Sequence, residues 1–311
     1  MKYASAALLG LFLASAFTPA NASNGKGIPG NADHRFAQLE TLLPTAGTTR
    51  TASGAPGAQY WQQRADYRIK VTLDEKRHRL IASQSITYMN RSPDTLSYIW
   101  LQLDQNIFKD DSIARRSEVA ANSGTRRDSV GKGDSLSFAA MRRHQAFQDR
   151  KYGYDIGQVR DASGRVLRTT VNDTMMRIDL PQPLRPGTSI EIRFDWESNI
   201  VNEAAIGARG GYEYFEGSDT YQYFLAQWFP RLVAYTDYTG WQHKQFLGRG
   251  EFTLEFGDYD VELTVPADHI VASTGELQNA DAVLTATQRE RLKRAATAKS
   301  PVFIVTPEEA K

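Results

Sequence analysis

The chain has 311 residues and no cysteine. That absence excludes disulfide staples, thiol nucleophiles and thiolate metal ligands, and leaves stability to a packed core. An excess of one charge is also missing, with 37 Lys and Arg set against 36 Asp and Glu. A nucleic-acid binder carries a basic excess on its binding face, so that class is set aside. No apolar run reaches the roughly 20 residues that a membrane-spanning helix needs. Histidine is sparse too: His34, His78, His144, His243 and His269 are never closer than 26 positions. There is no HExxH, which would place two imidazoles on one helix face for zinc, and no GxSxG elbow for a serine nucleophile. Gly131-Lys132 lacks the first glycine of a phosphate loop, because Arg126 stands in its place. No catalytic set and no metal site can be read in this chain, and the chain alone is expected to be inactive.

What is present starts with an address. Lys2, a dozen apolar residues over 6–17 and the small-x-small triplet Ala20-Asn21-Ala22 read as a signal peptide over residues 1–22. The mature protein is therefore expected in the periplasm or outside the cell. Residues 23–58 are rich in Gly, Ala, Asn, Thr and Pro and read as a linker, in which only 34–43 has helical spacing.

From residue 59 the hydrophobic period is two. Tyr67, Ile69, Val71 and Leu73 alternate with Arg68, Lys70 and Thr72, the signature of a half-buried strand. Further strands are expected at 80–89, 96–103, 154–159, 166–171, 175–180, 189–196 and 270–274. A hairpin is expected at 252–265, turning at Gly257-Asp258. A Pro-rich bend is expected at Pro181, Pro183 and Pro186-Gly187. Residues 115–151 are polar and read as a surface insertion. Residues 285–298 read as a short solvated helix, and the apolar stretch 301–306 as an unfinished segment that needs neighbours. The fold class is mainly β: an antiparallel saddle-like β-sandwich domain over 59–277, with 278–311 as connector and start of the next element.

Eight of the 21 residues from Tyr221 to Trp241 are aromatic, against 33 in the whole chain. A bare core does not need that density broken by Gln, Asp, Thr and Gly. Three readings stand: a binding groove, the wall of an active site, or a dense core and interface. Asp258 and Asp260 could share one strand face as calcium ligands, or be a turn and an edge carboxylate. Glu203, Glu213 and Glu216 have no spacing that specifies glycoside hydrolysis.

The run Ala226-Gln227-Trp228-Phe229-Pro230, followed by Tyr235, Asp237 and Gly240-Trp241, resembles a segment of the aminopeptidase-N-like gluzincin zinc metallopeptidases, in particular their secreted bacterial members. The likeness continues through 250–252, 256–261, Val265-Pro266 and 274–277. Upstream, 67–74 resembles the family's opening strand and 98–106 its third. The resemblance implies an N-terminal β domain that lines the substrate cleft and packs on a thermolysin-like catalytic domain. That C-terminal domain, with its zinc and HExxH, would lie downstream and would be the chain's partner, with a peptide as substrate. By the same resemblance Gln227 is a polar substrate contact, and Trp228 and Phe229 are apolar lining. The family carries Gln-x-Glu or Gln-x-Gln here, the second group holding the substrate's free amine. Phe229 departs from that pattern: a phenyl ring accepts no such hydrogen bond and offers only a cation–π contact. The alternative reading is a free-standing exported β-sandwich that binds carbohydrate or peptide through exposed aromatics.

Overall fold

The computed structural model describes residues 46–117, 138–148, 150–248, 250 and 253–310. The leader expected at 1–22, the helix expected at 34–43 and much of the polar insertion lie outside the described residues. The chain divides into two units, with the boundary between Thr264 and Val265.

The first unit is mainly β, in several sheets with few helices. Its largest sheet contains β1 (Arg64–Asp74), β2 (Arg79–Met89), β4 (Tyr154–Ile156), β5 (Arg160–Asp161), β8 (Ser189–Asn199) and β14 (Tyr259–Thr264). The order is β14-β1-β2-β8-β4, with β5 also beside β8. Alternation works as the sequence implies. Ala65, Tyr67, Ile69 and Val71 are buried, while Arg68, Lys70 and Thr72 face water. Along β2, Leu80, Ala82, Ile86 and Tyr88 complete the same inner face, and Ile192, Phe194 and Trp196 of β8 extend it.

A second sheet has the order β11-β3-β7-β6, from β3 (Leu96–Gln102), β6 (Thr169–Asn172), β7 (Met175–Leu184) and β11 (Arg231–Leu232). Both faces of β3 are covered. Ile99 and Leu101 are fully buried, while Tyr98 lies under the Arg177 guanidinium and Trp100 stacks on His243. Two ribbons complete the unit: β9 (Gly211–Phe215) with β10 (Thr220–Phe224), and β12 (Tyr235–Thr236) with β13 (Gly240–Trp241). The helix Phe138–Gln148 buries Phe147 against Tyr152, Val201 and Ile206.

The structure corrects the sequence reading in four places. The expected bend at Pro181 and Pro183 is absent, because β7 runs through both prolines and turns only at Pro186-Gly187. These prolines lie beyond the stretch paired with β6 and beside a register shift against β3, where a missing N–H is tolerated. The expected strand at 166–171 is reduced to β6, and Val166 makes only an isolated bridge to Arg160.

The third correction concerns the hairpin expected at 252–265, which does not form among the described residues of that range. Phe256 and Asp258 accept the N–H groups of Ala65 and Tyr67, and β14 continues parallel to β1 from Tyr67↔Tyr259 to Thr72↔Thr264. One strand pair of the expected antiparallel fold is therefore parallel. Gly257 is the reason the chain can run straight: a Cβ there would overlap the Ala65 carbonyl. Its lack of a side chain permits a close approach rather than a turn.

The second unit supplies the fourth. Residues 270–274 and 301–306 are not strands, and Ile270, Val271 and Phe303 are exposed. Apolar alternation without a neighbouring ladder leaves the backbone groups unpaired, so no strand forms. The solvated helix is present as Ala286–Ala295, opened by a capping box of Thr285 and Gln288.

Gly257→Ala is expected to strip β14 from β1 and to cost on the order of 2–4 kcal/mol of stability. Urea unfolding monitored by tryptophan fluorescence reads this out, and a wild-type midpoint would contradict the close-approach role of Gly257.

Candidate functional site

The aromatic run leaves the β9–β10 ribbon at Phe224 and enters β11 at Arg231. Between them, residues 225–230 have no regular structure, yet side chains from distant elements hold their carbonyls. The Gln105 amide donates to the carbonyls of Ala226 (3.2 Å) and Gln227 (3.0 Å), and Tyr154 Oη donates to the Gln227 carbonyl at 3.2 Å. The buried Gln84 amide donates to the Pro230 carbonyl at 2.8 Å while its oxygen accepts the Trp196 indole N–H at 3.0 Å. Just beyond, the Leu232 N–H donates to Tyr67 Oη at 2.8 Å. The segment is thus fixed without belonging to a ladder, as pre-organised sites require.

The strongest clamp is ionic. Arg231 donates through Nε (3.0 Å) and Nη2 (2.6 Å) to Asp104 Oδ2, and Gln102 Nε2 donates to Asp104 Oδ1 at 2.7 Å. Asp104 is 1 % exposed. Burial pushes its carboxyl up, and the Arg231 guanidinium opposes that shift. Such a pair adds little net stability over apolar packing, but removing one partner strands a buried charge.

Gln227, Trp228 and Phe229 lie together at the bend, each half-buried. Gln227 has φ = 53°, a left-handed conformation uncommon for a residue with a long side chain. Such a conformation costs on the order of 1–3 kcal/mol and persists only where surrounding contacts determine it. Here those contacts are the hydrogen bonds from Gln105 and Tyr154. Trp228 packs edge-on to Phe229 (4.9 Å between ring centres) and tilted to Trp196 (6.1 Å). Phe229 in turn meets Tyr67 and Tyr259 edge-on at 5.8 and 6.2 Å. Tyr67 and Tyr259 stack on each other at 4.7 Å.

Two other aromatic clusters flank this one. Trp61 stacks on Tyr235, which meets Trp241 edge-on. Arg50 pairs with Asp237 through Nε at 2.6 Å and lies over the Tyr60 and Tyr238 rings. Glu255 Oε1 accepts the Tyr235 N–H at 2.8 Å, and burial raises the Glu255 carboxyl to about 7. On the other side His78 lies flat on Tyr212 at 3.8 Å, with Nδ1 2.7 Å from Tyr223 Oη. Burial and the Arg150 charge push the imidazole pKa down. The hydrogen bond between His78 Nδ1 and the Tyr223 hydroxyl pins the β9–β10 ribbon to the turn between β1 and β2. The rings from Tyr221 to Trp241 thus serve as packing in most cases, while Tyr221, Phe224 and Tyr238 remain exposed.

Asp258 pairs with Arg64 at 2.5 Å. Among the described residues no three His, Asp or Glu side chains gather as metal ligands do. The supporting residues Asp104, Gln105, Gln84 and Tyr154 were not legible as site residues. The only signal for Asp104 and Gln105 was the run Leu103-Asp104-Gln105-Asn106, where polar residues follow an apolar strand, and Gln84 and Tyr154 had none.

No family model matches this chain, and no curated protein matches it. Solved structures similar to it are M1 zinc metallopeptidases. A Deinococcus radiodurans point mutant bound to a Tyr-Ser-Ala substrate is 14% identical with a TM-score of 0.35, over 69% of this chain and 35% of that one. The D. radiodurans enzyme without that mutation gives 14%, 0.33, 71% and 36% for the same quantities. A two-domain mutant bound to L-tryptophan gives 13%, 0.32, 75% and 40%. The chain spans 35–40% of the length of these structures. Similarity this low fixes neither activity nor substrate.

Two outcomes test the geometry. Asp104→Ala should destabilise the first unit by about 3–5 kcal/mol through the stranded Arg231 charge, measured by urea unfolding; a loss under about 1 kcal/mol would contradict the buried pair. Glu255 has its folded pKa above its unfolded value of 4.5, so its stabilising effect is full below about 4.5 and fades as pH rises through about 7. Stability should therefore fall across that window, and Glu255→Gln should flatten the slope.

Proposed function

We propose that this chain is the non-catalytic N-terminal β domain of an exported zinc metallopeptidase of the aminopeptidase-N-like class, and that its Gln227 bend lines the substrate cleft. One observation carries the reading: the sequence pieces that resemble the family meet around a single bend. Gln105 of the third-strand piece holds the Ala226 and Gln227 carbonyls, Asp104 of the same piece holds Arg231, and Tyr259 stacks on Tyr67 of the opening strand. These contacts bridge more than 100 residues of sequence, and no local packing need would bring the pieces together.

On this reading the chemistry lies in a downstream catalytic domain, where a bound zinc would activate water for peptide hydrolysis. This chain's residues bind and orient. The left-handed backbone of Gln227 turns the segment outward, so that its side-chain amide meets the peptide backbone. Trp228 and Phe229 give an apolar wall held from behind by Trp196, Tyr67 and Tyr259. Phe229 places a ring face where the family has an acceptor, so a substrate ammonium is met by cation–π attraction rather than a hydrogen bond. Such a contact is worth about 0.5–2 kcal/mol, which favours peptides whose affinity does not depend on a free N-terminus. Export to the periplasm or beyond follows from the leader.

A second reading, a free-standing module for carbohydrate or peptide, is favoured by the exposure of Tyr214, Phe215, Tyr221 and Phe224 on the β9–β10 ribbon. The gene decides between them. Read past the codon for Lys311, it should encode HExxH and a later Glu ligand. In that longer protein Phe229→Ala should raise KM for an unblocked peptide about 3- to 30-fold with kcat little changed. A stop codon directly after Lys311, or metal-dependent peptide hydrolysis by this chain alone, would overturn the proposal.

A further inference from the structure

β14 ends the order of the largest sheet, and all six of its residues are exposed. Its pairing to β1 fixes where its backbone groups point. Ala65 and Tyr67 donate to the carbonyls of Phe256 and Asp258, so the even-numbered residues bond inward. In a parallel ladder the alternate residues then face the other way. The N–H and C=O groups of Tyr259, Val261 and Leu263 therefore point off the edge, and no described strand pairs with them.

Apart from the charges of Asp260 and Glu262, this edge has few of the usual defences. The stretch Tyr259–Thr264 has no proline, no lysine and no bulge, and its register to β1 is unbroken. Its side chains are sorted by face. Tyr259, Val261 and Leu263 continue the inner apolar row of Tyr67, Ile69 and Val71, yet remain 48%, 39% and 42% exposed. On the outer face Asp260 and Glu262 lie opposite Arg68 and Lys70, with Lys70 Nζ 2.8 Å from Glu262 Oε1. A basic row on β1 is followed by an acidic row on β14, and cross-strand pairing favours a basic row next. A second copy of β14 is disfavoured, since the centred antiparallel registers set Asp260 opposite Glu262 or Glu262 opposite itself.

We infer that the open edge of β14 receives an extended peptide segment that alternates apolar and basic residues and adds to the sheet as its next strand. Backbone pairing to Tyr259, Val261 and Leu263 supplies affinity, and Asp260 and Glu262 select Lys or Arg at the intervening positions. This inference does not depend on the metallopeptidase reading, because it concerns the edge of the largest sheet and not the Gln227 bend.

The test uses the full chain and labelled peptides of about eight residues, alternating valine with lysine or valine with glutamate, read by fluorescence anisotropy. The lysine peptide should bind at least about tenfold tighter than the glutamate peptide, and Asp260→Lys/Glu262→Lys should reverse the preference. Val261→Pro removes an outward N–H without touching the ladder to β1, and should weaken binding about tenfold with unchanged circular dichroism. Should that variant fail to fold, a lysine peptide N-methylated at alternate residues serves instead, and should lose binding on the wild-type chain. Equal affinity for the two peptides, failure of both to bind, or indifference to N-methylation would overturn the inference. So would a concentration-dependent dimer abolished by Val261→Pro, which would assign the edge to a second copy.

Discussion

The ion pair of Asp104 and Arg231 is the constraint from which the candidate site follows. It joins the end of β3 to the start of β11 with a fully buried carboxylate, and neither element can shift without exposing an unpaired charge. Once Arg231 is fixed, the chain before it must reach back to the β9–β10 ribbon in six residues. That short span places Gln105 and Tyr154 beneath the Ala226 and Gln227 carbonyls and forces the left-handed backbone at Gln227. The half-buried rings of the bend are thus placed by buried polar chemistry, because every carbonyl without a ladder partner still needs a donor.

A second layer of support is aromatic. Trp196, Trp228, Phe229, Tyr259 and Tyr67 form a continuous set of edge and face contacts from β8 through the bend to β14 and β1. Rings of this kind bury large areas while fixing orientation through their quadrupoles. Tyr67 also accepts the Leu232 N–H, so one side chain couples the opening strand, the last strand of the sheet and the segment after the bend. His78 plays a smaller part of the same kind, tying the β9–β10 ribbon to the β1–β2 turn through its imidazole.

Much of this fold was legible before the structure. Strict alternation at Tyr67, Ile69, Val71 and Leu73, and again at Ile190, Ile192 and Phe194, marks strands because one face is buried and the other wet. Legibility failed where a residue type serves two purposes. Gly257 reads as a turn glycine, but its lack of a side chain is used for contact with Ala65. Pro181 and Pro183 read as breakers, yet they fall where β7 has no β6 beside it. The apolar stretches at 270–274 and 301–306 have strand composition without strand neighbours. At the candidate site, a motif singled out Gln227, Trp228 and Phe229. The donors that fix them were not legible as such, since a hydrogen bond between Gln105 and Gln227 spans 122 residues and Gln105 shows only as part of a polar run after a strand.

The parallel pairing of β1 with β14 has a kinetic consequence. Asp66 and Asp258 are 192 positions apart and share a hydrogen bond, so nearly the whole unit must be synthesised before its first strand finds its outer neighbour. Closing so long a loop precedes any reward from the contacts it brings, and topologies of that kind fold slowly.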